Sequence, residues 1–228
     1  MQITNPHWQI FESVAALRDA ACAAVMQSAE EAIAQRGCFT LVLAGGTTPR
    51  DVYRELSTVA TEWSKWHIYY GDERCLPRDH AERNSCMAEH AWLNHVAIPQ
   101  AQIHPIPAEL GPELGAAAYS RTLALVGEFD LVLLGLGEDG HTASLFPGNV
   151  LELDGAPAIP VYGAPKPPPE RISLSVSRLS HARRVIFLVT GTGKRPAVQR
   201  WQRGDSLPAA AITPSAGAEI FLDFACSV

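Results

Sequence analysis

The sequence predicts an open α/β fold: a mostly parallel sheet with helices on both faces, in the manner of a Rossmann-like domain. Three observations carry that expectation. Short, continuously apolar runs recur along the chain, the pattern of strands buried on both faces. They alternate with segments of helical character, as βα units do. Several of them run straight into glycines or charged residues, as strands do at the edge where open sheets bind ligands.

In chain order, Ser13 is placed to cap a helix through "VAALRDAACAAVMQSAEEAIAQR", which Gly37 ends. "CFTLVLAGG" reads as a buried strand and "TPRDVYREL" as a helix with Pro49 in its first turn, where a missing N–H costs nothing. "WHIYYGD" is the next strand and "NSCMAEHAWLNHV" the next helix. "PELGAAAYSRTLALVG" is helical, "FDLVLLGLG" is a strand, and "RISLSV" is another. "RRVIFLVTG", "GKRPAVQRW" and "AEIFLDF" then give strand, short helix and closing strand. The proline-rich "GAPKPPPERIS" is too short to separate two domains and reads as a rigid surface loop, so residues 1–228 are expected to form one domain.

Composition narrows the function classes. A 228-residue chain that is 47% hydrophobic can bury a sizeable core. Its net charge of -6 argues against a nucleic-acid partner, which would require a basic face to neutralise phosphates. A small anionic substrate needs only a few local cations. The five cysteines show no metal-ligand spacing and read as scattered reduced thiols. No segment resembles a signal peptide or approaches the roughly 20 apolar residues of a membrane span, so a cytoplasmic protein without membrane partners is expected.

Chemistry concentrates where strands end. "LVLAGGTTPR" sets Gly45, Gly46, Thr47 and Thr48 between a strand and a helix N-terminus, where backbone N–H groups and hydroxyls can hold an anion. "IYYGDERCLP" places Asp72, Glu73 and Arg74 directly after a strand, and Glu73 reads as a surface-turn charge. "FLVTGTGKRP" ends in Lys194 and Arg195, and a lysine just past a glycine turn can reach a phosphate as a point charge. His80 is the one other histidine near such a turn.

The stretch "GLGEDGHTASLFPG" has two readings. Gly135, Gly137 and Gly140 fit the dinucleotide spacing G-x-G-x-x-G, but that motif needs a helix to begin at the loop, and Pro147 and Gly148 prevent one. Asp154 has the offset of a ribose-binding acid without a strand end to carry it. The alternative reading is that Gly140 lets Asp139 and His141 turn toward one cavity. There an imidazole takes a proton from water while a carboxylate orients it. No His, Asp or Glu set has metal-ligand spacing, so neither metal nor cofactor is expected.

Taken together, "LVLAGGTTPR", "YYGDERCLP", "ERNSCMAEHAWL", "GLGEDGHTASLFPG", "PKPPPERISLS" and "VTGTGKRPAV" resemble the blocks of the 6-phosphogluconolactonase family, in the family's order and over roughly residues 10 to 224. The resemblance implies a fold shared with glucosamine-6-phosphate deaminases. It also implies metal-free, cofactor-free hydrolysis of 6-phospho-D-glucono-1,5-lactone in the oxidative pentose phosphate pathway. It points to His141 as the base that activates water, with Asp139 beside it, and to Gly45, Gly46, Thr47, Arg74 and Lys194 around the phosphate. Asp72 and Arg171 fall within family blocks, Asp72 expected among the catalytic residues and Arg171, with Thr48, among those that bind substrate. "ERNS" keeps Asn84 but lacks the usual preceding serine, a change that touches a structural helix start.

Two other functions remain open at the level of sequence. An amino-sugar-phosphate deaminase/isomerase would use the carboxylate at Asp72 as its base, but it would carry an aromatic residue where Arg74 stands and an acid soon after the D-G-H loop. Here no acid follows until Glu152. A non-catalytic sugar-phosphate-binding module would keep the anion loops and could lose the base.

Overall fold

The computed structural model describes residues 6–148 and 155–227; Glu152 and Asp154 lie outside the described residues. In chain order the elements are β1 (His7–Phe11), α1 (Val14–Arg36), β2 (Phe39–Leu43), α2 (Thr47–Leu56), β3 (Trp66–Tyr70), β4 (Asp72–Arg74), α3 (Asn84–Ala91) and α4 (Pro112–Leu123). They continue with β5 (Phe129–Gly135), β6 (Ala158–Val161), β7 (Arg171–Leu174), α5 (Val176–Ser180), β8 (Ala182–Val189), α6 (Arg195–Gln202) and β9 (Glu219–Asp223).

Local chemistry sets the helix limits. The Ser13 hydroxyl accepts a hydrogen bond from Ala16 N at 3.1 Å and so satisfies one of the free donors at the start of α1. At its far end Gly37 adopts φ 79°, which costs a glycine nothing, and its N–H reaches Ile33 O. Leu17, Ala21, Ala24, Val25, Ala29 and Ala32 form a small-residue stripe that lets α1 lie close on the sheet.

Six parallel strands make the main sheet in the order β1-β9-β8-β5-β2-β3. Both faces are covered, and for that reason β5 and the end of β8 read as unbroken apolar runs. From β2 the chain first proceeds outward to β3, then returns to lay β5 on the other side of β2. The topological switch point therefore lies between β2 and β5, and the crevice beyond their carboxyl ends is where such sheets bind ligands. A second sheet, β4-β7-β6, is antiparallel and stands at that same end.

The α/β architecture is the expected one, with differences of detail. The expected strand "WHIYYGD" is broken: β3 ends at Tyr70, Gly71 donates to Leu43 O at 2.9 Å, and Asp72 already belongs to the second sheet. The helix expected over "NSCMAEHAWLNHV" stops at Ala91 and gives way to a 3-10 turn at Leu93–His95, around the buried Trp92. The expected strand "RISLSV" ends at Leu174, because Ser175 accepts from Arg178 N and starts α5. Two strands had no apolar run to announce them: β1 is a half-exposed edge strand, and β6 contains Pro160, which suits an edge position. Among the described residues, no helix is long and apolar enough to cross a membrane.

Candidate active site

Residues on or just after five strands converge on one cavity of about 540 Å³. Its walls include every residue singled out for substrate or catalysis: Gly45, Gly46, Thr47 and Thr48 after β2, Asp72 and Arg74 of β4, Asp139 and His141 after β5, Arg171 of β7, and Lys194 after β8.

The loop after β5 is a compact turn. Gly137 N donates to His141 O at 2.7 Å, and Gly140 N donates to Gly137 O at 3.0 Å. Gly140 has φ 92°, a conformation open to glycine, and it packs on Leu207. The turn folds His141 back on Asp139, so that Nδ1 meets Oδ1 at 2.6 Å while the same oxygen accepts from the His141 backbone N at 3.1 Å. No side chain fits at Gly137, where a Cβ would lie 2.0 Å from His141 Nδ1 and 2.6 Å from Asp139 Oδ1. Burial raises the Asp139 carboxyl, but the hydrogen bonds from the His141 backbone and ring outweigh it and hold the group below its ordinary value. Arg200 of α6 donates to Asp139 O at 3.3 Å, and the Phe146 ring lies 4.7 Å from the imidazole. Ala143, two residues on, has the unusual φ of 48°.

The loop after β2 forms the opposite wall. Tyr53 Oη donates to Ala44 O and accepts from Ala44 N, each at 2.9 Å, and so fixes the chain entering the glycines. Gly46, at φ 105°, precedes α2, whose first N–H groups are free of any side-chain cap. Thr48 Oγ1 and Thr190 Oγ1 share a 2.6 Å hydrogen bond that ties the start of α2 to the end of β8. Lys194 enters the cavity from the turn beyond Gly191 and makes no ion pair among the described residues.

Strand alternation sorts the charges of β4. Asp72 and Arg74 share one face and Glu73 takes the other. Arg74 pairs directly with Arg171 across the antiparallel ladder, two like charges where sheets normally avoid them. Arg74 Nη1 donates to Glu82 O, while Arg171 donates to Lys166 O at 2.8 Å and Pro168 O at 3.2 Å, which anchors the proline-rich loop to the cavity rim. Burial pulls the Arg171 guanidinium below its ordinary value; Asp72 opposes this and Arg74 reinforces it. Such a paired-cation wall suits an anion.

Glu73 departs from its expected surface role. It is fully buried and accepts from Asn84 N at 2.7 Å and Ser85 N at 2.8 Å, capping α3 from another element, with Arg83 beside it. His80 also departs: its Nδ1 accepts from Glu82 N, and it lies off the cavity wall. Asn84, by contrast, lines the cavity without having been singled out for it, and the fully buried Ser144 stands behind it. Both hold Asp72, Asn84 Nδ2 at 3.0 Å from Oδ1 and Ser144 Oγ at 2.6 Å from Oδ2. An asparagine at a helix start gives no sequence signal apart from capping. Among the described residues, no group of three or more His, Cys, Asp or Glu side chains could hold a metal ion.

Comparison with known proteins places this geometry among relatives. The profile of the family described as glucosamine-6-phosphate isomerases/6-phosphogluconolactonase matches residues 12–221. A 6-phosphogluconolactonase of Synechocystis sp. is 42% identical over 177 residues, covering 74% of this chain and 73% of that protein. One of Mycobacterium leprae is 37% identical over 225 residues, covering 92% and 90%. The crystal structure of 6-phosphogluconolactonase from Thermotoga maritima superimposes with a TM-score of 0.88 at 25% identity, covering 96% of this chain and all of that one.

Proposed function

The chain belongs to the glucosamine-6-phosphate isomerase/6-phosphogluconolactonase family, and from that membership we propose that it hydrolyses 6-phospho-D-glucono-1,5-lactone to 6-phospho-D-gluconate, the lactonase step of the oxidative pentose phosphate pathway. The observation that supports the reading best is the 2.6 Å His141–Asp139 pair facing the same cavity as a glycine loop and three cations. A volume of about 540 Å³ accommodates a hexose phosphate.

Asp139 accepts a hydrogen bond from His141 Nδ1–H and so fixes the tautomer that leaves Nε2 with a lone pair. Nε2 takes a proton from water as the water oxygen attacks C1 of the lactone. Charge grows on the carbonyl oxygen, where Arg74 or a loop N–H stabilises it; one such donor is typically worth ~3–4 kcal/mol of barrier. The C1–O5 bond then breaks, and the proton on Nε2 passes to the departing ring oxygen. General-base help of this kind contributes about 10²–10⁴-fold. At the other end, Gly45, Gly46 and Thr47 offer backbone N–H and hydroxyl donors to the phosphate, with Arg74 and Lys194 supplying charge and Arg171 beside Arg74. Asp72 stands between the two ends, and Thr48 braces the phosphate loop through Thr190. The reading invokes no metal, cofactor or nucleic acid, assigns the whole activity to one domain and places it in the cytoplasm.

The test is hydrolysis of freshly made 6-phosphogluconolactone above its spontaneous rate, with phosphate-free gluconolactone as control. Equal acceleration of both would remove the anion site. Ammonia release from glucosamine 6-phosphate would favour the deaminase, and binding without turnover would favour a non-catalytic module.

A further inference from the structure

Between the phosphate loop and the His141–Asp139 pair lie two buried polar side chains that the chemistry above does not use, Asp72 and Asn84, with the fully buried Ser144 behind Asp72. We propose that Asn84 and Asp72, braced by Ser144, form a hydroxyl-recognising subsite, and that Asn84 is a specificity-determining residue for a polyhydroxylated lactone. The inference rests on the lactonase reading.

Asn84 is the first residue of α3, one place inside the N-cap Arg83, and the first N–H groups of the helix are served from another strand: the two carboxylate oxygens of Glu73 take those of Asn84 and Ser85. The Asn84 side chain is thus free, and it turns toward Asp72: Nδ2 donates to Asp72 O at 2.9 Å and to Asp72 Oδ1 at 3.0 Å. These two acceptors fix the amide orientation, because a flipped amide would put oxygen against oxygen. Its Oδ1 accepts no hydrogen bond from the described residues, although Asn84 is 5% exposed and lines the cavity. Gly45 keeps the space around that oxygen, since a Cβ there would lie 2.1 Å from it.

Asp72 shows the complementary pattern. Each of its oxygens holds one fixed protein donor, Asn84 Nδ2 or Ser144 Oγ, and each keeps a further lone pair. The cavity therefore presents acceptors at this point, in contrast to the donors and cations at its phosphate end. Acceptors without donors in a buried site discriminate against a ligand that cannot supply an O–H. Secondary hydroxyls on the carbons between the lactone and the phosphate supply that group.

The experiment compares wild type and Asn84→Ala on 6-phosphogluconolactone and on its 2-deoxy and 3-deoxy counterparts. Wild type is expected to lose about 10–100-fold in kcat/KM on at least one deoxy lactone. Asn84→Ala should lose a similar factor on the parent lactone, and its ratio between parent and deoxy substrate should collapse toward unity. Ser144→Ala, which removes only the hydroxyl behind Asp72, should narrow the same ratio and serves if Asn84→Ala does not fold. Wild-type turnover with no discrimination, or an equal slowing of all three substrates by both variants, would overturn the subsite alone. Absence of wild-type turnover would overturn the lactonase reading and the subsite with it.

Discussion

Replacing Gly137 by alanine adds one methyl group, and the structure fixes where that group must go. It would sit 2.0 Å from His141 Nδ1, 2.3 Å from His141 Cε1 and 2.6 Å from Asp139 Oδ1, whereas ordinary contact begins at 3.4 Å. The imidazole therefore has to retreat by about 1.4 Å, the difference between the first and last of these distances. Gly137 itself has no left-handed φ, so alanine meets no backbone strain and the cost falls on the pair. A misplacement of about 1 Å at a reacting group costs on the order of 10²-fold, and complete loss of general-base help costs up to about 10⁴-fold. We expect kcat of Gly137→Ala to fall within that range while binding of 6-phosphogluconate, measured by calorimetry, changes less than about threefold, because the phosphate wall is on other strands. The same substitution in a His141→Ala background should have almost no further effect on kcat, since the group it displaces is already gone. A kcat for Gly137→Ala within a factor of about two of wild type would refute the argument.

His141→Ala should slow hydrolysis by up to about 10⁴-fold and leave 6-phosphogluconate binding nearly intact, which stopped-flow and calorimetry together can decide. Lys194→Ala should chiefly raise KM, by roughly the tenfold that one lost phosphate contact of about 1.5 kcal/mol implies, and the difference should shrink in high salt. The Asp139 carboxyl is held below its ordinary value in the folded protein, so its contribution to stability is present above the unfolded carboxyl range and is lost as pH falls through the folded value. Wild type should thus exceed Asp139→Asn in urea midpoint at neutral pH, and the two should converge toward acid. Burial pushes the Cys22 and Cys226 thiols up to about 12 and Cys75 to about 11, so all three should resist alkylation of the native protein at pH 8, as read by mass spectrometry.

How much of this was legible in the sequence depended on range. Strands buried on both faces announced themselves through composition, and the residues at their carboxyl ends followed, so the loops after β2, β5 and β8 could be read as site loops. Neither β1 nor β6 could be read that way, because β1 is half exposed with polar residues in it and Pro160 interrupts β6. Glu73 and Asp72 illustrate the deeper limit. They are adjacent and equally charged; the family blocks favoured Asp72, but Glu73 read as a surface charge, and only the pairing with Ile172 and Ser173 sends it inward. That pairing joins segments far apart in the chain, and no local pattern encodes it. Asn84 failed to stand out for a related reason: only a helix start was visible locally, whereas the Asp72 carboxylate that its side chain meets arrives from another element.

The three residues of β4 leave no neutral position. One side of the strand reaches into the cavity with Asp72 and Arg74, while the other supports α3 through Glu73. Because side chains alternate, inserting or deleting a single residue here would send a structural carboxylate into the cavity and a cavity residue into the core. Length variation among descendants of this chain should therefore accumulate elsewhere, and libraries that randomise β4 should return far fewer folded clones than libraries in the four-residue β6.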